Sequence, residues 1–167
     1  YSRTPEWPTT HLDLPGPTFL DYRHQLRKTH PSTERNLPRE RNKAKRHGVE
    51  IKRLPHPEQH HEALHQLYDA HYQRLNQQPF PYQPSFFAQF AGRLGHTADI
   101  YAATIGDELL GATLLLYHGD SVHLPLLAFD PVRGHDAAVY FNLAYNEPIA
   151  NCAAAGFRRL ILGRTQY

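Results

Sequence analysis

The spacing of apolar residues changes period several times along this chain, and each change marks an element. Leu64, Leu67 or Tyr68, His71 or Tyr72, and Leu75 recur at helical spacing, which predicts a helix from about Glu58 to Leu75. Val49 to Leu54 instead alternates apolar with polar, the period of a half-buried strand. Three further apolar runs, Asp99 to Ile105, Glu108 to His118 and Ser121 to Phe129, are separated only by Gly106-Asp107 and Gly119-Asp120. Two-residue loops that begin with Gly predict tight hairpins, so these runs read as a three-strand antiparallel meander. From about Ala137 to Ala155 the helical period returns, with Ala138, Phe141, Tyr145, Ile149 and Cys152 on one face. Pro148 removes a hydrogen bond to the Ala144 carbonyl and should kink that helix. Gly156 ends it, and Leu160-Ile161-Leu162 forms a last short strand.

The N-terminal third is less regular. Tyr1 to Pro17 is Pro-rich and reads as irregular or extended. Thr18 is placed to cap a helix that runs to about Lys28 and breaks at Thr29-His30-Pro31; Ser32 is then expected to cap a second helix ending at Gly48, with Pro38 inside it. Gln77 to Pro84 reads as a Pro/aromatic loop, and Ser85 opens a short helix carrying Phe86, Phe87, Phe90 and Leu94. The sheet is therefore expected to be mixed, an antiparallel meander plus one parallel strand reached through a right-handed crossover.

Composition sharpens this picture in three ways. At 167 residues the chain fits one domain with enough material for a real core. No apolar run is long enough to span a membrane, and the single Cys152, on an apolar helix face, fits an inert core thiol in a reducing cytoplasm. The net charge is only +2, yet Arg23, Arg27, Lys28, Arg35, Arg39, Arg41, Lys43, Lys45, Arg46, Lys52 and Arg53 crowd one segment. That segment is either a solvated helix face or a docking surface for phosphate-rich molecules such as tRNA. The chain opens on Tyr1 without Met and stops soon after its last strand, so it is expected to be a piece of a longer protein.

Two chemical motifs stand out. His61-Glu62-Ala63-Leu64-His65 is a literal H-E-x-x-H on the predicted helix, and His61 with His65 could share a zinc ion. Position 68 is Tyr where a turn-forming Gly would be needed to bring His71 back as a third ligand, so the plain alternative is a solvated helix face. The second motif is the strand ending Ala128-Phe129-Asp130-Pro131, followed by Arg133-Gly134 and a helix. A loop that opens onto a helix start presents free N–H groups to an anion.

Three stretches carry a family resemblance: Glu40-Arg41-Asn42-Lys43-Ala44-Lys45-Arg46-His47-Gly48-Val49-Glu50; Ala128-Phe129-Asp130-Pro131; and Tyr140-Phe141-Asn142-Leu143-Ala144-Tyr145, with Pro148-Ile149, Gly156 and Leu162-Gly163 ahead of Tyr167. Together with the order of elements, they resemble the core of the GNAT acyltransferase superfamily over roughly Val49 to Gly163. Within it the chain looks most like the FemAB/FemX branch, which often carries two such domains in tandem. The resemblance implies an α/β fold with an α+β mixed sheet. It implies a gap where strands Ser121–Phe129 and Arg158–Gly163 splay apart to take the donor's acyl arm, and a loop at Pro131–Asp136 for the donor's phosphates. Carried onto this sequence, the donor side is Ala128, Phe129, Arg133, Gly134, Ala138 and Asn142. Tyr72, Arg74 and Tyr82 are placed as acceptor contacts. Arg164 and Tyr167 could line the acyl site, and no catalytic group is assigned outright.

The sequence departs from the family's pyrophosphate loop. Laid from Arg133, its first Gly position is Asp136, whose carboxylate should repel a pyrophosphate. The branch's Lys after a residue like Tyr167 lies beyond the chain, as do the last elements of a full domain. The expectation is thus a basic helical arm over residues 1–47 and a GNAT-like domain over 48–167. It would be a cytoplasmic N-acyltransferase that moves an acyl or aminoacyl group from acyl-CoA or aminoacyl-tRNA to a small-molecule or peptide amine. No cofactor is expected to be tightly bound, and tRNA or a second GNAT domain are the expected partners. The alternatives are an inactive GNAT domain that docks RNA or a partner domain, and a zinc hydrolase built on His61 and His65.

Overall fold

The computed structural model describes residues 9–164. Six strands form one mixed sheet, in the order β1-β6-β5-β4-β3-β2. They are β1 (Thr9–Asp13), β2 (Glu50–Arg53), β3 (Ala98–Ile105), β4 (Glu108–His118), β5 (Ser121–Phe129) and β6 (Arg159–Arg164). The meander is present as read, and the two turn glycines, Gly106 and Gly119, both have positive φ, which a residue with a Cβ resists. Strand β6 pairs parallel with β5, as the crossover requires.

The helices are α1 (Phe19–Thr29), α2 (Pro31–Arg46), α3 (His61–Asn76), α4 (Ser85–Ala88), α5 (Phe90–Leu94), α6 (Arg133–Asp136), α7 (Val139–Phe141) and α8 (Glu147–Ala154). Thr18 caps α1 through a reciprocal capping box with Asp21. Ser32 does not cap α2; that helix begins earlier, with Pro31 in its first turn, where a missing N–H costs nothing. On one sheet face α3 to α5 bury Leu64, Tyr68, Phe80, Phe87 and Phe90 against Ile100, Ala112, Leu114 and Ala128. On the other, α1, α2 and the crossover cover Leu115, Val122, Leu124 and Leu160, and beside them Ala103 and Leu110.

Three expectations need correction. The first residues are not simply irregular: β1 pairs antiparallel with β6 and closes one edge of the sheet. Nor are the basic helices an arm, because Tyr22, Leu37 and Ala44 are core residues on the crossover face. The crossover is also not one regular helix. Between α7 and α8, Asn142–Asn146 form a π turn, in which the Glu147 N–H reaches back to the Asn142 carbonyl. The wider turn lies just before Pro148, which has no N–H of its own to offer the ladder. Among the described residues, no helix is long and apolar enough to cross a membrane.

Candidate functional site

The site follows from how β5 and β6 part. Their parallel ladder holds Ser121 to Arg159, Val122 to Leu160 and His123 to Ile161, and stops there. Beyond it β5 runs on to Phe129 with β4, while β6 runs on to Arg164 with β1. At the point of parting the β4–β5 register shifts, and Pro125 has no N–H for either neighbour. The result is a wedge-shaped gap with half-buried Leu127, Tyr145 and Leu162 beside it. Below β5, on the α3 face, Tyr68 is fully buried and its hydroxyl donates to the Ala112 carbonyl at 3.1 Å. Burial drives that phenol's pKa far above its ordinary value.

The loop after β5 is built around Asp130. One carboxylate oxygen accepts the backbone N–H groups of Val132 and Arg133 at 2.9 and 3.0 Å. The other accepts from the Arg133 guanidinium at 3.1 and 3.2 Å. A further nitrogen of Arg133 is paired with Glu108. The N–H groups of Gly134, Ala137 and Ala138 donate to the carbonyls of Asp130, Arg133 and His135. Burial pushes the Asp130 carboxyl up, but the bonds from Arg133 and Val132 and the guanidinium outweigh it and hold it below the usual carboxylate range. An internal carboxylate therefore already takes two of the loop's N–H groups and its guanidinium.

The sequence-derived donor residues divide four ways. Phe129 and Arg133 stand at the mouth of the loop. Gly134 and Ala138 form its buried underside; a Cβ on Gly134 would lie 3.2 Å from the Phe129 ring, and Ala138 holds φ at 55°. Ala128 is fully buried in the sheet opposite Ala112. Asn142 faces away from the donor side. It is 1% exposed, donates to the carbonyls of Glu40 and Ala138, and accepts from Asn146, which in turn donates to Leu37. Its polarity in an apolar pattern is explained by α2, whose carbonyls the two asparagines clamp.

The acceptor set does not converge either. Tyr72 and Tyr82 both pack edge-on against Phe80, 5.4 and 5.3 Å away. Arg74 lies over Phe129 instead, 5.9 Å from the ring centroid, on the donor side. Beside it stands a residue that the sequence reading had not placed at the site. His71 packs 5.3 Å from Phe129, and burial and Arg74 lower its pKa against a backbone bond to Phe129 that raises it. Its helical spacing marked it as a core position, and only the end of β5 brings it to the site. Arg164 ends β6 opposite Thr9 in the strand ladder; Tyr167 lies outside the described residues.

The zinc constellation does not assemble. His61 donates to the Glu58 carbonyl at 2.9 Å, and His65 donates through Nε2 to the Tyr82 carbonyl at 3.0 Å. With His71 turned to Phe129, no three potential ligands gather among the described residues.

A mixed sheet with a parted parallel pair, and a loop and helix after the longer strand, is the frame of an acyltransferase domain. The model of the acetyltransferase (GNAT) domain family matches residues 31–167, and the chain belongs to that family. No curated protein matches it by sequence. Among solved structures it is similar to FemX, with a TM-score of 0.70 at 10% identity over 99% of this chain and 55% of that one. It is also similar to the C-terminal domain of a putative lysylphosphatidylglycerol synthetase from Agrobacterium fabrum, with a TM-score of 0.61 at 12% identity over 95% of this chain and 46% of that one. The L-PGS structure from Bacillus licheniformis gives 0.60 at 14% identity, again over 95% and 46%. The chain spans about half the length of each, and at these identities the likeness is one of fold.

Proposed function

We propose that this domain transfers an aminoacyl group from an aminoacyl-tRNA to an amine. The single observation that carries the choice of donor is Asp130. Its carboxylate takes two loop N–H groups and the Arg133 guanidinium, the groups that a CoA pyrophosphate would need. A CoA donor would have to displace that carboxylate and then sit beside it, like charge against like charge. An RNA donor has other cations to use. Arg35, Arg39, Lys45 and Arg46 are exposed along α2, and no ion pair holds any of them among the described residues. In transfer, the gap would align the acyl carbonyl with the attacking amine nitrogen, and alignment supplies most of the rate gain. The likeness in fold to FemX agrees with the resemblance to the FemAB/FemX branch, which implies an aminoacyl-tRNA donor.

The test is a transfer assay with labelled donors, acetyl-CoA in one arm and a mixed pool of aminoacyl-tRNAs in the other, against primary-amine acceptors. Label moving to amine from the tRNA arm alone is the expected result. Transfer from acetyl-CoA at equal concentration would overturn the choice of donor. A domain that bound RNA but moved no label would be the inactive docking form, which the occupied loop also suits.

A further inference from the structure

This inference rests on the RNA donor proposed above and adds how its end is held. We propose that Phe129, Tyr140 and Phe141, with Arg74 over the first ring, form a stacking platform for the unpaired 3′ bases of the RNA. The buried rings Tyr68, Phe80 and Phe87 stack on one another at 5.2 to 6.1 Å inside the α3 face, and Tyr82, 46% exposed at its edge, stacks on Phe86 at 4.8 Å. The rings at the loop mouth are different. Tyr140 is 40% exposed and Phe141 46% exposed, although neighbouring Val139 and Leu143 are fully buried. Phe129 and Tyr140 stand 5.8 Å apart and tilted by 51°, and Tyr140 and Phe141 5.5 Å apart and edge-on at 80°, so the three rings adjoin in one cluster that turns its faces in different directions.

The surroundings select a nucleic acid over an apolar partner. Arg74 approaches the Phe129 ring from α3. On the other flank runs α2, fixed to the start of the crossover by the Asn142 bond to Glu40 at 3.1 Å, with Arg39 exposed in the adjoining turn. Rings interleaved with cations are the arrangement that single-stranded nucleic acid uses, bases on the rings and phosphates on the cations. Of the nearby carboxylates, Asp130 and Glu108 share the single positive charge of Arg133, so one negative charge is left over on that side, away from Arg74, and Asp136 lies 3.6 Å from His135. The step also adjoins the end of β5, so a base seated on it leaves the 3′ terminus at the open end of the β5–β6 gap.

The test is fluorescence anisotropy of this 167-residue chain with two labelled hairpin RNAs. One carries an unpaired 3′ tail ending in adenosine, and the other is cut back flush with the stem. The tailed hairpin should bind about 10-fold more tightly or better, a normal contribution for a base–aromatic stack. Tyr140→Ala and Phe141→Ala should erase that difference, and Phe141→Trp should keep it where Phe141→Leu does not. Equal binding of both hairpins, with both weakened by Arg35→Ala and Arg39→Ala, would overturn the platform and leave RNA docking intact. Binding of neither hairpin would overturn the platform and the donor reading together. A wild-type dimer in sedimentation that Phe141→Ala dissolves would show the step to be a protein contact, and would also overturn it.

Discussion

The loop after β5 and the face of α2 are both places where this molecule concentrates N–H groups or cations, and they are in opposite states. In the loop the Arg133 guanidinium and two backbone N–H groups have partners inside the chain: Asp130 and Glu108 take Arg133, and Asp130 takes the N–H groups of Val132 and Arg133. On α2 the cations divide by direction. Arg41 faces inward to Glu147 at 2.9 Å and over the Phe19 ring, while Arg35, Arg39, Lys45 and Arg46 face water. The same chemistry that makes an anion site elsewhere in a fold is here spent on holding a turn. Charge available to a ligand depends on what is already paired, and a count of basic residues cannot show that.

That contrast can be broken from either side. The largest effect is expected on α2. Arg35→Ala, Arg39→Ala and Arg46→Ala together should weaken hairpin RNA binding by on the order of 10- to 100-fold and flatten its salt dependence by roughly 2 to 3 units of log–log slope. The same triple variant should leave the melting temperature nearly unchanged, because all three side chains are exposed. Next in size is the frame that holds the crossover. Tyr68→Ala should cost about 3–5 kcal/mol in chemical denaturation, since it empties the volume beneath β5. Asn142→Ala should cost about 2 kcal/mol, by leaving the Glu40 and Ala138 carbonyls and Asn146 short of a partner. Gly111→Ala belongs here too. Its Cβ would meet Val139 at 2.6 Å and Leu143 at 2.8 Å, so about 1–3 kcal/mol of overpacking is expected.

The smallest effect sharpens the loop side. Hydrogen bonds from Arg27 and Arg23 hold the Glu34 carboxyl below its ordinary pKa, and Asp130 is held down in the same direction. A carboxylate depressed in the folded state contributes stability that is fully present above its unfolded pKa and is lost as pH falls through the folded one. The melting temperature should therefore be level near neutrality and fall below about pH 4. Glu34→Gln should lower the plateau and flatten that acid limb, and a variant whose acid limb matched wild type would contradict the linkage.

Much of the frame was legible in the chain. The meander shows because β3 to β5 are long, alternate cleanly and are joined by Gly-first turns. The crossover shows because its strand, loop and helix follow one another directly. What was hidden depended on distant partners. β1 is five residues whose hydrogen bonds go to β6, about 150 positions later, and a local window cannot see that. Asn142 was visible as a polar residue out of place, but its direction is set by where α2 lies, which only the packed structure gives. Asp130, ahead of Pro131, forms a turn. That its turn takes up the N–H groups of Val132 and Arg133 is a matter of 3 Å contacts that no spacing rule encodes.

The account turns on the closed loop, and one side-by-side titration tests it most directly. Wild type and Asp130→Ser would each be followed by thermal shift against acetyl-CoA, with the tailed hairpin RNA as a parallel arm. The expected result is that the hairpin alone raises the wild-type melting temperature, and that acetyl-CoA raises it only once Asp130 is gone. A concentration-dependent rise of wild type with acetyl-CoA would contradict the account, because it would mean that a pyrophosphate displaces the Asp130 carboxylate after all.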